Sequence, residues 1–284
     1  MKGQLSYRMA RRILLSLNNL WKGLDKNLLA DIDSYLKYNY KGGEIIIKQF
    51  SPYNNLQGKC ILDLGCGCGG KTASYALDGV KKIVGIDINI THLIYGREFV
   101  EKNNIKKVVF IGSNGERLPF KEDTFDMIIS SSVGEHLENP LDVLLECYRV
   151  LKKEGLLLIR IHLFKSRYGA HLNYYINIPW CQFFFSEEVI LSVWKELYER
   201  NYKLGKDTAY PYEEVQQAKS IHQLCHLNKL SIAQWEAIIN KTQFKKVATT
   251  YLWGKKPIKN FIFKCIPFKG YIADYVTYVL QKNS

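Results

Sequence analysis

From residue 60 onward the chain alternates short apolar runs with amphipathic stretches, and this alternation restricts the fold more than any other feature. CILDLG (60–65), KKIVGID (81–87), KVVFIG (107–112), FDMIISSS (125–132) and LLLIRIHLF (156–164) have the length and composition of buried strands. KTASYALDG (71–79), THLIYGREFVEKNN (91–104) and LDVLLECYRVLKKEG (141–155) fill the intervals with helical spacing, the first and last closed by glycine. Strands and helices alternating in this way require right-handed crossovers and a parallel sheet, so the expected class is α/β with a doubly wound, Rossmann-like sheet. A helix over SIAQWEAIINKTQF (231–244) and strands at KKVATTYLW (245–253) and VTYVLQK (276–282) extend it.

Two regions stand apart from the alternation. Residues 1–50 read as helical: Ile13, Leu14, Leu17 and Leu20 share one face, and DKNLLADIDSYLKYNY (25–40) repeats the pattern. Residues 165–229 are too long for an ordinary connection and are rich in aromatic residues. We expect a lid or acceptor-binding subdomain there, inserted into a main domain spanning 51–284. Tyr168, Tyr174, Tyr175, Trp180, Phe183, Phe184 and Phe185 would line an apolar pocket or build the insertion's own core.

The chain places glycines 65, 67 and 69 directly after the first strand, in ILDLGCGCGG (61–70). Such a turn lets a ligand approach bare backbone at the carboxyl end of a strand. Asp87 ends the next strand, where a carboxylate can bind ribose hydroxyls, so the pair suggests a nucleoside site. The spacing is G-x-G-x-G rather than the dinucleotide G-x-G-x-x-G, and Asp63 two residues before it suits an amine-bearing ligand better than a pyrophosphate.

This stretch resembles motif I of the class I S-adenosylmethionine-dependent methyltransferases. NGERLPFKEDTFDMIISSSVGEHLENP (114–140) is similar to the fourth-strand segment of the small-molecule members, and RVLKKEGLLLI (149–159) to their helix-to-fifth-strand join. The resemblance covers roughly residues 58–162. It implies a seven-stranded sheet with an antiparallel last strand, S-adenosylmethionine as cofactor, and methyl transfer; the aromatic insertion points to a small, aromatic or lipid-like acceptor, methylated on O or N. The resemblance further implies cofactor contacts at Asp63, Gly65, Cys66, Gly67, Asp87, Ile88, Asn114, Gly115, Ser130 and Ser131. Asn114 stands where the family has aspartate. Three histidines near the implied methyl group are candidate general bases: His136, His162 and His171.

Composition bounds the alternatives. The net charge is +13, but the lysines are dispersed and no RNA-binding signature occurs, so a small-molecule partner is expected rather than nucleic acid. An RNA or tRNA methyltransferase and a non-catalytic cofactor-binding module stay open as other readings. Seven scattered cysteines fit reduced thiols and a cytoplasmic location. Cys66 and Cys68 lack further spaced ligands, so no metal is expected there. No apolar run is long enough for a transmembrane helix, and the N-terminus does not read as a signal peptide. WCQFFF (180–185) with the basic N-terminal helix is a candidate peripheral membrane contact. The sequence carries no signal of oligomeric state.

Overall fold

The computed structural model describes residues 2–20, 32–167, 169–203, 212–253, 256–258 and 268–284. The sheet strands are β1 (Cys60–Leu64), β2 (Lys82–Asp87), β3 (Val108–Gly112), β4 (Phe125–Ser131), β5 (Leu151–His162), β6 (Lys245–Trp253), β7 (Lys256–Pro257) and β8 (Tyr275–Gln281). They pair in the order β3-β2-β1-β4-β5-β8-β6-β7. The first five are mutually parallel, and β8 inserts antiparallel between β5 and β6. This is the expected seven-stranded, Rossmann-like arrangement, with the two-residue β7 added at its edge.

The order reverses between β1 and β4, and a doubly wound sheet opens its ligand crevice at such a switch point. The central strands are buried almost end to end, as a sheet covered on both faces requires. One cluster, including Leu62, Ile128, Val143, Leu144, Leu157 and Trp235, packs under α5 (Pro140–Val150) and α10 (Ile232–Ile239). The opposite face packs Ile61, Tyr75, Ile83, Met127 and Leu158 against α2 (Ile32–Lys48) and α3 (Gly70–Tyr75). Asn89 caps α4 (Ile90–Lys102), its side-chain oxygen accepting from the His92 amide at 3.1 Å.

Several expected helix boundaries move: α2 runs on through Gly42 and Gly43 to Lys48 instead of breaking after residue 40, and α3 ends at Tyr75 instead of Gly79. The helix expected over 141–155 stops at Val150, and LKKEG enters β5. Leu151 pairs with Phe125, the ladder resumes at Met127 and Leu156, and the residues between bulge. Glu154 donates its amide to Lys282, and Lys282 returns its own to Gly155. Long-range pairing therefore overrides the local helical pattern. The helix expected over 231–244 runs only from Ile232 to Ile239. A reciprocal Ser231–Gln234 capping box starts it, and the Thr242 hydroxyl binds the Ile239 carbonyl at 2.6 Å and closes it.

The insertion is helical where described. A 3-10 turn (Gly169–Tyr174) leads to α6 (Cys181–Phe184), α7 (Glu187–Lys203), α8 (Tyr212–Gln217) and α9 (Ile221–Cys225). These share a core of Leu172, Tyr175, Ile176, Trp194, Tyr198 and Val215, joined by Leu14 of α1 (Lys2–Leu20). Arg11 of α1 pairs with Glu196 and donates to Ser192 at 3.0 Å. Asn18 donates to the Tyr175 carbonyl at 2.9 Å and accepts the Asn177 amide at 2.7 Å. The aromatic residues of the insertion thus divide. Tyr175 and Phe185 pack into this core, Trp180 donates to the Tyr271 carbonyl, and Phe183 and Phe184 face outward. Tyr168 lies outside the described residues.

Candidate active site

A cavity of about 650 Å³ opens at the carboxyl ends of β1, β2 and β4. Its floor is the glycine turn. Gly65 has φ +69°, and a Cβ there would lie 2.4 Å from Val133 Cγ2, so glycine alone fits. Gly67, at φ +55°, faces open space, so nothing bulky stands between its backbone and the cavity. Asp87 stiffens the turn: Oδ2 accepts from the Gly67 amide at 2.8 Å, and Oδ1 from the Asn89 amide at 2.9 Å.

The other walls come from separate elements. Ile88 lines the cavity with 76 % of its surface exposed. Asn114 and Gly115 follow β3 and line the cavity, and the Asn114 side-chain oxygen accepts the Glu116 amide at 3.0 Å. Cys66 also lines the cavity, and burial pushes its thiol up, so it presents a neutral wall. The Ser131 hydroxyl is buried, borders the cavity and has no protein partner. From the N-terminal region, Tyr35 and Asn39 of α2 close one side.

Not every expected contact reaches the cavity. Asp63 is buried beneath it, accepting the Thr72 hydroxyl at 2.6 Å, and burial first of all raises its pKa to about 6. Ser130 is fully buried in the sheet. His136 and His171 both line the cavity, with ring centroids 5.0 Å apart. His136 Nδ1 lies 3.1 Å from the His226 carbonyl. His162 does not line it. That ring sits behind His171, stacks on Tyr275 at 4.6 Å and borders a separate small void. Burial lowers its pKa to about 3, so it stays neutral near pH 7.

Three participants, Lys71, Arg160 and Glu135, had no sequence signal of their own, and a fourth, Tyr174, was expected only as one of the insertion's aromatic residues. Lys71 lines the cavity and donates to the Ser131 carbonyl at 3.3 Å; burial lowers its pKa, against the pull of Asp63. Tyr174 lines the wall beside His171, its ring stacked on that imidazole at 5.8 Å. Arg160 is buried, donates to Ser132 Oγ at 2.9 Å and stacks on Tyr275. Glu135 is buried next to the histidines and accepts the His162 amide at 3.3 Å. Burial would raise its pKa, but the imidazoles of His171, His136 and His162 outweigh this and hold it below the ordinary carboxylate range.

The strand order, the glycine turn and the acidic end of β2 define a class I S-adenosylmethionine-dependent methyltransferase fold. Residues 62–159 match the family described as "Methyltransferase domain". The chain is 34% identical over 101 residues to a sterol 24-C-methyltransferase of Pneumocystis carinii, covering 35% of this chain and 27% of that protein. It is 36% identical over 106 residues to a ubiquinone/menaquinone biosynthesis C-methyltransferase of Escherichia coli, covering 36% and 42%. The chain spans less than half the length of these relatives. A SAM-dependent methyltransferase from Aquifex aeolicus superposes with a TM-score of 0.52 over 92% of this chain and 99% of that one, at 16% identity. Among the described residues, no helix is long and apolar enough to cross a membrane.

Proposed function

We propose that this protein transfers a methyl group from S-adenosylmethionine to an oxygen or nitrogen of a small, aromatic or lipid-like acceptor. The observation that carries the reading is one cavity bordered by both the glycine turn with Asp87 and the His136–His171 pair. A nucleoside ligand and a proton acceptor would therefore share one space. The relatives are named for a sterol and for ubiquinone/menaquinone biosynthesis, and these molecules are apolar, which supports the acceptor class.

The residues fit the cofactor. Gly65 and Gly67 offer backbone that no side chain shields. Asp87 is held by two amides and keeps lone pairs for a ribose diol. Ile88 supplies an apolar edge for adenine, and Asn114 and Gly115 supply polar groups at its rim. The unpartnered Ser131 hydroxyl suits the methionine moiety. Asp63 acts one layer below, fixing Thr72 at the start of α3.

S-adenosylmethionine supplies an electrophilic methyl carbon on a positively charged sulfur. The attacking oxygen or nitrogen must lose a proton before or during attack, and His136 or His171 can take it from the acceptor. Tyr35 and Asn39 of α2 and Tyr174 narrow the cavity, and much of the rate would come from positioning. His162, neutral and behind the wall, is not placed to exchange a proton with an acceptor in the cavity.

Competition calorimetry with S-adenosylhomocysteine and NAD tests the cofactor half. We expect the first to bind wild type and the second not to, and Asp87→Ala to lose most of that affinity. Equal binding by the variant removes Asp87 from the site. Transfer of a labelled methyl group to a panel of phenols and quinols tests the acceptor half, with His136→Ala and His171→Ala compared on the first acceptor found.

A further inference from the structure

The spacing of the cysteines gave no reason to expect a metal, yet the fold gathers a different ligand set. Glu135 follows β4, His162 ends β5, and His171 lies in the 3-10 turn that opens the insertion. Each offers one ligand atom, and all three atoms lie within 4.8 Å of one another. We propose that Glu135, His162 and His171 bind one divalent transition-metal ion, of the zinc type, at the wall of the cavity.

Three observations carry the proposal. The first is a pair of orphaned atoms. Glu135 is 4 % exposed, and its Oε1 has no hydrogen-bond partner; nor has the buried Nε2 of His171. These two atoms face each other at 3.8 Å. That is too long for a hydrogen bond, which would close to about 2.8 Å. Two ligands of one ion, each bound at about 2.0–2.2 Å, stand roughly 3–4 Å apart, so the gap matches a bridging cation.

The second observation is the void itself. Glu135, His162 and His171 border a void of about 10 Å³, the size of a single water or ion. Its remaining walls include Phe164, Leu227 and Leu230, which offer no competing ligand, and Asn228, whose side chain is bonded to the Gly134 and Leu137 carbonyls and to the Leu230 amide. Lys229 also borders it, but its ammonium lies 3.8 Å from Glu187 and packs over Phe164.

The third is conformational. His171 has φ +53°, a backbone state that costs a non-glycine residue about 1–2 kcal/mol and is retained where function requires a particular side-chain direction. Here it brings the imidazole to Glu135 and also to the cavity wall.

Two imidazoles and one carboxylate form a borderline donor set, which selects zinc-like ions over magnesium or calcium and leaves coordination positions open. Because His171 also lines the large cavity, an ion here would fix that imidazole as part of the cavity wall and leave His136 as the proton acceptor facing the cavity. That use rests on the methyl-transfer reading; the binding of the ion does not.

The test uses the full chain, stripped with a chelator and dialysed, then titrated with zinc chloride by calorimetry and with cobalt(II) by visible absorption. We expect one ion per chain, a cobalt spectrum of nitrogen–oxygen type, and at least tenfold weaker zinc binding in Glu135→Gln and in His171→Ala. Circular dichroism melts check that each variant folds. If either variant does not fold, the cobalt spectrum of wild type decides. Sub-stoichiometric uptake, a sulfur-to-cobalt charge-transfer band, or equal affinity in wild type and folded variants overturns the site. S-adenosylhomocysteine affinity, measured in parallel, reports on the cofactor reading separately.

Discussion

Gly65→Ala is the sharpest probe of the turn beneath the cavity. The methyl group must be carried at φ +69°, which costs about 1–2 kcal/mol for an L-residue. It also lands 2.4 and 2.8 Å from the two Val133 methyl groups, an overlap that adds about 1–3 kcal/mol. The substitution should therefore destabilise the protein by about 2–5 kcal/mol. The two contributions separate in a double-mutant cycle with Val133→Ala, which removes the overlap and leaves the backbone strain. We expect a favourable coupling of about 1–3 kcal/mol, read from urea unfolding of the four proteins. S-adenosylhomocysteine affinity should fall in Gly65→Ala and recover only partly in the double variant, because the retained strain still displaces the turn. A coupling within about 0.5 kcal/mol of zero would refute the packing argument.

Three further expectations follow from other parts of the molecule. Asp63 ionises at about 6 in the folded protein, above the ordinary 3.8, so the native state holds the extra proton and stability falls as pH rises from about 4 to about 6. Above that window the buried charge costs about 3 kcal/mol, and Asp63→Asn, which can still accept from Thr72, should gain up to that amount at pH 8 and little at pH 4 in urea titrations; a variant with the wild-type pH slope would contradict this. Asp87→Ala removes a charge-assisted bond to the Gly67 amide, worth about 1.5–3 kcal/mol, together with the proposed ribose contact, and calorimetry should find S-adenosylhomocysteine binding at least tenfold weaker. Asn18→Ala removes the donor to the Tyr175 carbonyl and leaves the buried Asn177 amide without its acceptor, and thermal unfolding should show a loss of about 1–3 kcal/mol.

The sheet was legible in the sequence because its strands are continuous apolar runs separated by helical spacing, a signal set by local burial. The glycine turn and Asp87 were legible for a similar reason, since bare backbone and a strand-end carboxylate sit close together in the chain. LKKEG was misassigned because its conformation is dictated by pairing with Lys282, more than 120 residues away, which no local pattern encodes. The same limit hid Glu135. Its neighbours His162 and His171 come from another strand and from the insertion, and only the fold brings them together. The aromatic richness of the insertion was visible, but its use was not. Periodicity cannot distinguish Tyr175, packed on Trp194 at 4.4 Å, from Tyr174, turned to the cavity.

The clasp formed by Asn18 has a consequence for the order of assembly. As the chain is synthesised, α1 appears before the elements it packs on, and Leu14 and Asn18 find their partners only when residues 172–198 have been made. Until then its apolar side is open to water and to other chains, and closing so long a loop is slow. The first helix is therefore among the last elements to settle, and agents that shield exposed apolar surface should act on its nascent form more than on the sheet.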